Sequence, residues 1–182
     1  MAVIDASVFV APTAFVFGNV TVGEDSSLWP GASLRGDMGS IVVGRGSSVQ
    51  DNCALHIQPA GRVVVGDLVT IGHGAVLHGC TVGNCCVIGM NAVLLDGVEV
   101  GDRSIVAAGA VVKGGTKIPA GSLVVGNPAI IKEGRSPDMT MHWYGALLYI
   151  AMAHCYRDGV LDFTPDDLLK AAEELKAKYP FP

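Results

Sequence analysis

The stretch VGDLVTIGHGAVLHGCTVGNCCVIGMNAVL, residues 65–94, places an aliphatic residue at Val65, Ile71, Leu77, Val82, Ile88 and Leu94. The step is six, except for a step of five between Leu77 and Val82. Traced toward the N-terminus, the same series runs through Leu55, Val49 and Val43, then Leu34, Leu28, Val22, Val16, Val10 and Ile4. Toward the C-terminus it runs through Val100, Val106, Val112, Ile118 and Val124. All 20 positions are Ile, Leu or Val. A period of six is neither the 3.6 of a helix nor the alternation of a hairpin. Each hexad reads as a short strand plus a tight corner. The aliphatic side chain points to a narrow axis, and Gly or a small polar residue serves the turn. Gly follows directly at Gly23, Gly44, Gly66, Gly72, Gly83, Gly89 and Gly101. The long gaps after Leu34 and Leu55 predict loops at residues 36–40 and 57–62.

This repeat resembles that of the hexapeptide-repeat proteins. The resemblance implies an all-β fold, a left-handed parallel β-helix with three hexads per coil and nearly seven coils. It covers residues 4–130, so the chain divides into a β-helix over 1–130 and a C-terminal helical tail over 131–182. Gly126-Asn127-Pro128 breaks the pattern. Residues 138–157, with Met141, Leu147, Leu148, Ile150, Ala151 and Met152, read as one helix. Thr164-Pro165-Asp166-Asp167 opens another: Thr as N-cap, Pro in the first turn, acids at the positive end. Leu168, Leu169, Ala172 and Leu175 predict one apolar face for it. Both helices are expected to pack along the prism or on a neighbouring subunit.

Composition narrows the class. The 182 residues suit one domain with a small appendage. A hydrophobic content of 50% excludes a disordered chain. The 24 glycines do not recur every third residue, which excludes collagen. No apolar stretch approaches the ~20 residues of a membrane span. A formal charge of −5 points away from nucleic acid and suggests nothing more specific than solubility. The start, Met1-Ala2-Val3-Ile4-Asp5, has no basic segment leading into an apolar one, and the five cysteines are odd in number. Both suggest reduced thiols in a cytoplasm. Adjacent Cys85 and Cys86 form no C-x-x-C and read as small core or surface thiols.

Three of the five histidines obey the grid. His56 follows Leu55 and His78 follows Leu77, so they occupy equivalent positions one strand spacing (~4.8 Å) apart. Arg35 follows Leu34 and joins the same outward column. His73 lies two after Ile71, on another side of the prism, above Asp51 and beside Gln50. Two histidines of one chain plus His73 of the next would surround one metal ion, with the fourth position open as catalytic zinc requires. The grid therefore predicts a homotrimer with interfacial metal sites, Asp51 of one chain opposing Arg35 of the next. One coil higher, Met90 and Leu95 occupy the corresponding columns as an apolar wall.

Arg35-Gly36-Asp37, Gln50-Asp51, His56 and His73-x4-His78 together resemble the γ-class carbonic anhydrases. Gly72 through Val82, followed by Gly89-Met90-Asn91-Ala92-Val93, resembles the short-loop bacterial subgroup of phenylacetate-degradation and carnitine operons. The resemblance implies zinc on His56, His73 and His78, with iron or cobalt also suited to three imidazoles. It implies that Arg35, Asp37 and Asp51 hold the trimer interface. Gln50 would lie beside the metal-bound water, and a tail tyrosine would reach the metal region, Tyr149 being the best match with Tyr144 and Tyr156 as alternatives. The implied reaction is reversible hydration of carbon dioxide to bicarbonate by a metal-bound hydroxide. The archetype's glutamate after Arg-x-Asp is Met38 here, and residues 57–72 hold no Glu. The alternatives are a metal-dependent acyl-CoA thioesterase, a hexapeptide acyltransferase and a non-catalytic metal-binding or scaffold trimer.

Overall fold

The computed structural model describes residues 1–132 and 136–182. Its main body is a left-handed parallel β-helix of about seven coils. All twenty aliphatic positions of the hexad series pair in register, with Val10 of the first coil remaining exposed. On the first face Ile4, Val22, Val43, Val65, Val82, Val100 and Ile118 stack in order. The second face stacks Val10, Leu28, Val49, Ile71, Ile88, Val106 and Val124. The third stacks Val16, Leu34, Leu55, Leu77, Leu94 and Val112. Leu28, Leu34, Ile71, Leu77, Ile88 and Leu94 are fully buried along the axis. One row of branched side chains per face fills a prism too narrow for anything else, so a register slip would put polar residues on the axis.

The glycines that follow the aliphatic positions do a different job from the one expected. The left-handed corner conformation falls to other glycines, among them Gly31, Gly46, Gly74 and Gly79, and to residues such as Asp25, Asn52, Leu68, Cys85, Asn91 and Arg103, with φ between 51° and 59° in these six. Gly66 is needed for close approach: a Cβ there would lie 2.8 Å from the carbonyl carbon of Gly83 on the next coil. The corners also carry polar ladders. Asp67 N–H donates to Asn84 Oδ1 (2.9 Å), and Asn84 N–H donates to Asp102 Oδ1 (2.7 Å).

The expected loop at 36–40 is not a loop. Ser33–Val43 is one continuous strand that crosses a corner beside Phe15–Val22. Asn19 alone lies opposite residues 37–40, so the extra residues form a bulge within paired strands. Pairing with Arg62–Val65 on the far side keeps this segment extended. Residues 57–61 do leave the ladder, with Ala60 N–H donating to Met38 O (2.9 Å).

The tail forms α1 (Thr140–Arg157) and α2 (Pro165–Leu175). The first part of α1 buries Trp143, Ala146, Leu147 and Ile150 against Leu68, Cys85, Ala172 and Tyr179. Its second part packs Tyr149 and Ala153 against Phe9, Ala11 and Trp29. Thr164 caps α2 in a complete capping box with Asp167. The apolar face expected of α2 is narrower than the sequence suggests. Ala172 and Leu175 pack with Trp143 and Leu147 of α1, whereas Leu168 is only half-buried and Leu169 is exposed, because only one stripe of so short a helix meets α1.

Candidate metal centre

Arg35, His56 and His78 occupy one register column on the third face. The same column begins with Phe17, which pairs with Arg35, and passes through Leu95, one coil above His78. The imidazole centroids of His56 and His78 are 5.4 Å apart. Both rings are half-buried and open to the outside of the prism.

Each ring is held by a carboxylate. His78 Nδ1 lies 2.9 Å from Asp96 Oδ1, and His56 Nε2 lies 3.3 Å from Asp37 Oδ1. Arg35 Nη1 donates to the other oxygen of Asp37 (2.6 Å). Desolvation pushes the Asp37 carboxyl up, but the Arg35 hydrogen bond and charge outweigh it and hold it below the usual carboxylate range.

His73 stands apart, next to the second face. Its Nδ1 lies 2.9 Å from Asp51 Oδ2, one coil below. Its backbone N–H donates to Gln50 Oε1 (3.2 Å), and Gln50 is buried. Met90 lies one coil above, tied through Asn91 N–H to His73 O (2.9 Å). Met90 and Leu95 are both exposed, at 55% and 40%, and turn apolar surface outward. Tyr149 packs edge-on against Trp29, with centroids 5.9 Å apart. Burial, with the charge of Asp51, pushes its phenol up, so it stays protonated at neutral pH.

The candidate residues thus fall into two groups. Arg35, Asp37, His56, His78 and Leu95 gather on one face. Gln50, Asp51, His73, Met90 and Tyr149 gather on another. Within one chain, among the described residues, no group of three His, Cys, Asp or Glu converges on a point. Asp96 escaped the sequence reading. Its signal was its place on the grid, two after Leu94 and one coil above His78.

The donor set suits a divalent cation. His73 and His78 each present Nδ1 to a carboxylate and leave Nε2 open. A carboxylate on the far ring nitrogen is the usual support of a metal-bound histidine. The five free thiols supply no soft ligand set: four are buried, and no three metal-capable groups converge among the described residues.

Comparison with known proteins adds the following. The family of bacterial transferase hexapeptide repeats (six repeats) matches residues 79–114. The mitochondrial γ carbonic anhydrase 2 of Arabidopsis thaliana is 49% identical over 132 residues, 69% of this chain and 48% of the relative. The chain therefore spans about half the length of that plant relative. A protein named "Probable carbonic anhydrase" from Methanocaldococcus jannaschii is 44% identical over 151 residues, 82% of this chain and 95% of the relative. The carnitine operon protein CaiE of Salmonella agona is 42% identical over 141 residues, 78% and 71% of the two chains. Among solved structures, a hexapeptide transferase family protein from Anaplasma phagocytophilum superposes with a TM-score of 0.81 at 35% identity, over 85% of this chain and 92% of that one.

Proposed function

We propose, from the premise that this chain belongs to the hexapeptide-repeat family of the γ-class carbonic anhydrases and CaiE proteins, that it reversibly hydrates carbon dioxide at divalent-cation sites shared between subunits of a homotrimer. One observation carries the reading. Two histidines on one face and a third on another each have a carboxylate partner, and neither face completes a site alone. His56 and His78 of one subunit and His73 of the next would hold the ion, zinc first and iron or cobalt as substitutes. Phe15 and Phe17, both more than half exposed on the His56 face, supply apolar surface for the neighbouring subunit.

Bound zinc would supply the Lewis acidity that makes a water acidic near pH ~7. The chain's residues do the rest. Gln50 is anchored through Oε1 to His73 N–H, so its amide N–H2 is the end free to donate to a substrate oxygen. Met90 and Leu95 offer an apolar wall to an apolar gas and exclude competing water. The Tyr149 hydroxyl, its phenol pushed up by burial, keeps a proton it can donate. Arg35 and Asp37 brace His56 and, with Asp51, line the surfaces that meet. We place the protein in the cytoplasm on its free thiols. No described helix is long and apolar enough to cross a membrane.

Stopped-flow carbon dioxide hydration by zinc-loaded protein, with His78→Ala as blank, tests the reading. A rate well above the blank supports it; equal rates refute it. The transferase likeness favours a second reading, acyl transfer from coenzyme A. Metal-independent acetyl-CoA turnover that survives His78→Ala would select that one.

A further inference from the structure

We infer that Asp96 is a positioning residue for the candidate metal centre, holding the His78 ring so that Nε2 faces outward. The inference rests on the metal-site reading above. Asp96 lies one coil above His78, two residues after Leu94, the core partner of Leu77. Its Oδ1 lies 2.9 Å from His78 Nδ1. The carboxylate reaches the ring by lying directly over Gly79, whose φ of +57° suits glycine. A Cβ on Gly79 would fall 2.2 Å from Asp96 Oδ1, so only glycine leaves the path open.

The backbone on both sides of the contact is pinned. Gly79 N–H donates to His56 O (3.1 Å), Gly97 N–H donates to Gly79 O (2.8 Å), and Gly115 N–H donates to Asp96 O (2.8 Å). Among the described residues Asp96 pairs with no Lys or Arg, so its charge is committed to the ring. Asp37 differs, being divided between Arg35 and His56. A carboxylate facing Nδ1 takes the Nδ1 proton as a hydrogen bond. The neutral ring is then the Nδ1–H tautomer, with the Nε2 lone pair directed outward. The Asp96 side chain is 43% exposed, so its replacement removes no core volume.

The test measures zinc affinity of the assembled protein against a chromophoric chelator. In parallel, 15N NMR reads the His78 tautomer in metal-free protein at about pH 8.5. Asp96→Ala is expected to weaken zinc binding by about 10–100-fold and to leave His78 as a mixture of tautomers. Asp96→Asn keeps an acceptor at Oδ1 and is expected to recover most of both. If Asp96→Ala fails to assemble, Asp96→Ser carries the same expectation. Unchanged zinc affinity together with an unchanged His78 tautomer in the Ala or Ser variant overturns this inference alone. Absence of zinc binding by the unaltered protein overturns the metal-site reading, and this inference with it.

Discussion

His154 Nε2 of α1 lies 3.0 Å from Asp25 Oδ1, joining the tail to a corner of the second coil across 129 residues of sequence. The other oxygen of Asp25 accepts from Lys178 Nζ (2.6 Å) and from the Tyr179 hydroxyl (2.9 Å). Asp25 itself is only 5% exposed. One buried carboxylate therefore clamps both α1 and the segment after α2 onto the β-helix. Asp25→Asn preserves the left-handed backbone at φ +55° and the side-chain shape, and removes the charge and one acceptor oxygen. It is expected to cost about 2–3 kcal/mol, the scale of charged hydrogen bonds lost at a buried site. Urea unfolding would measure the cost. Limited proteolysis should cut the variant first in residues 158–182.

The same clamp sets a pH profile. Burial pushes the Asp25 carboxyl up, but hydrogen bonds from Lys178, His154 and Tyr179 outweigh it and leave it below the usual value. A lowered carboxylate pKa stabilises the fold above the unfolded value of ~3.9 and loses that contribution as pH falls through the folded value. The Lys178 ammonium is raised, chiefly by its hydrogen bond to Asp25. Its contribution is complete below the unfolded value of ~10.4 and disappears as pH rises through the folded one. Urea midpoints are expected to hold a plateau from about pH 5 to about pH 10 and to fall on both sides. Asp25→Asn should flatten both edges. A variant with the same two edges as the unaltered protein would remove the clamp as their cause.

If each metal site draws on two subunits, defects in different half-sites complement. His73→Ala and His78→Ala chains are each expected to lose zinc binding. Unfolded together and refolded as mixed trimers, they should recover about a quarter of the sites, the share of interfaces that pair the intact halves at random. Zinc stoichiometry after gel filtration reads this directly. No recovery in demonstrably mixed trimers would place all three ligands on one chain.

Core and surface positions of the third face should part company. Leu55 is 1% exposed on the axis, and Leu55→Ala is expected to lower stability by about 2–5 kcal/mol. Phe17 is 55% exposed in the outward column of Arg35, His56 and His78. Phe17→Asp should leave the β-helix folded by circular dichroism while shifting the protein to monomer in sedimentation.

Thiol reactivity checks the packing of the corners. Burial pushes Cys53 up to about 11, and Cys80 and Cys86 up to about 12. Cys85 is pushed up as well, beneath Tyr179 and α1. At about pH 8 these four carry almost no thiolate and no access. Mass spectrometry after brief alkylation should find one modified cysteine, Cys155 of α1, and all five after denaturation.

The six-residue spacing by itself determined the coil register, the rows on the three faces and the shared column of Arg35, His56 and His78. A prism with one aliphatic row per face admits one register, because any slip buries polar residues. The same arithmetic put His73 on a different face from His56 and His78, and Thr164-Pro165 announced the start of α2 by local capping chemistry. Tertiary structure alone decided the rest. The residues after Leu34 became a bulge instead of a loop, because pairing with Phe15–Val22 on both sides of it, and with Arg62–Val65 from Ser40 onward, keeps the strand continuous. Asp96 reached His78, and Asp25 gathered His154, Lys178 and Tyr179, through side chains that cross between coils or between tail and prism. Such contacts depend on the reach and rotamer of single side chains brought together by folding, and a backbone period carries no record of them.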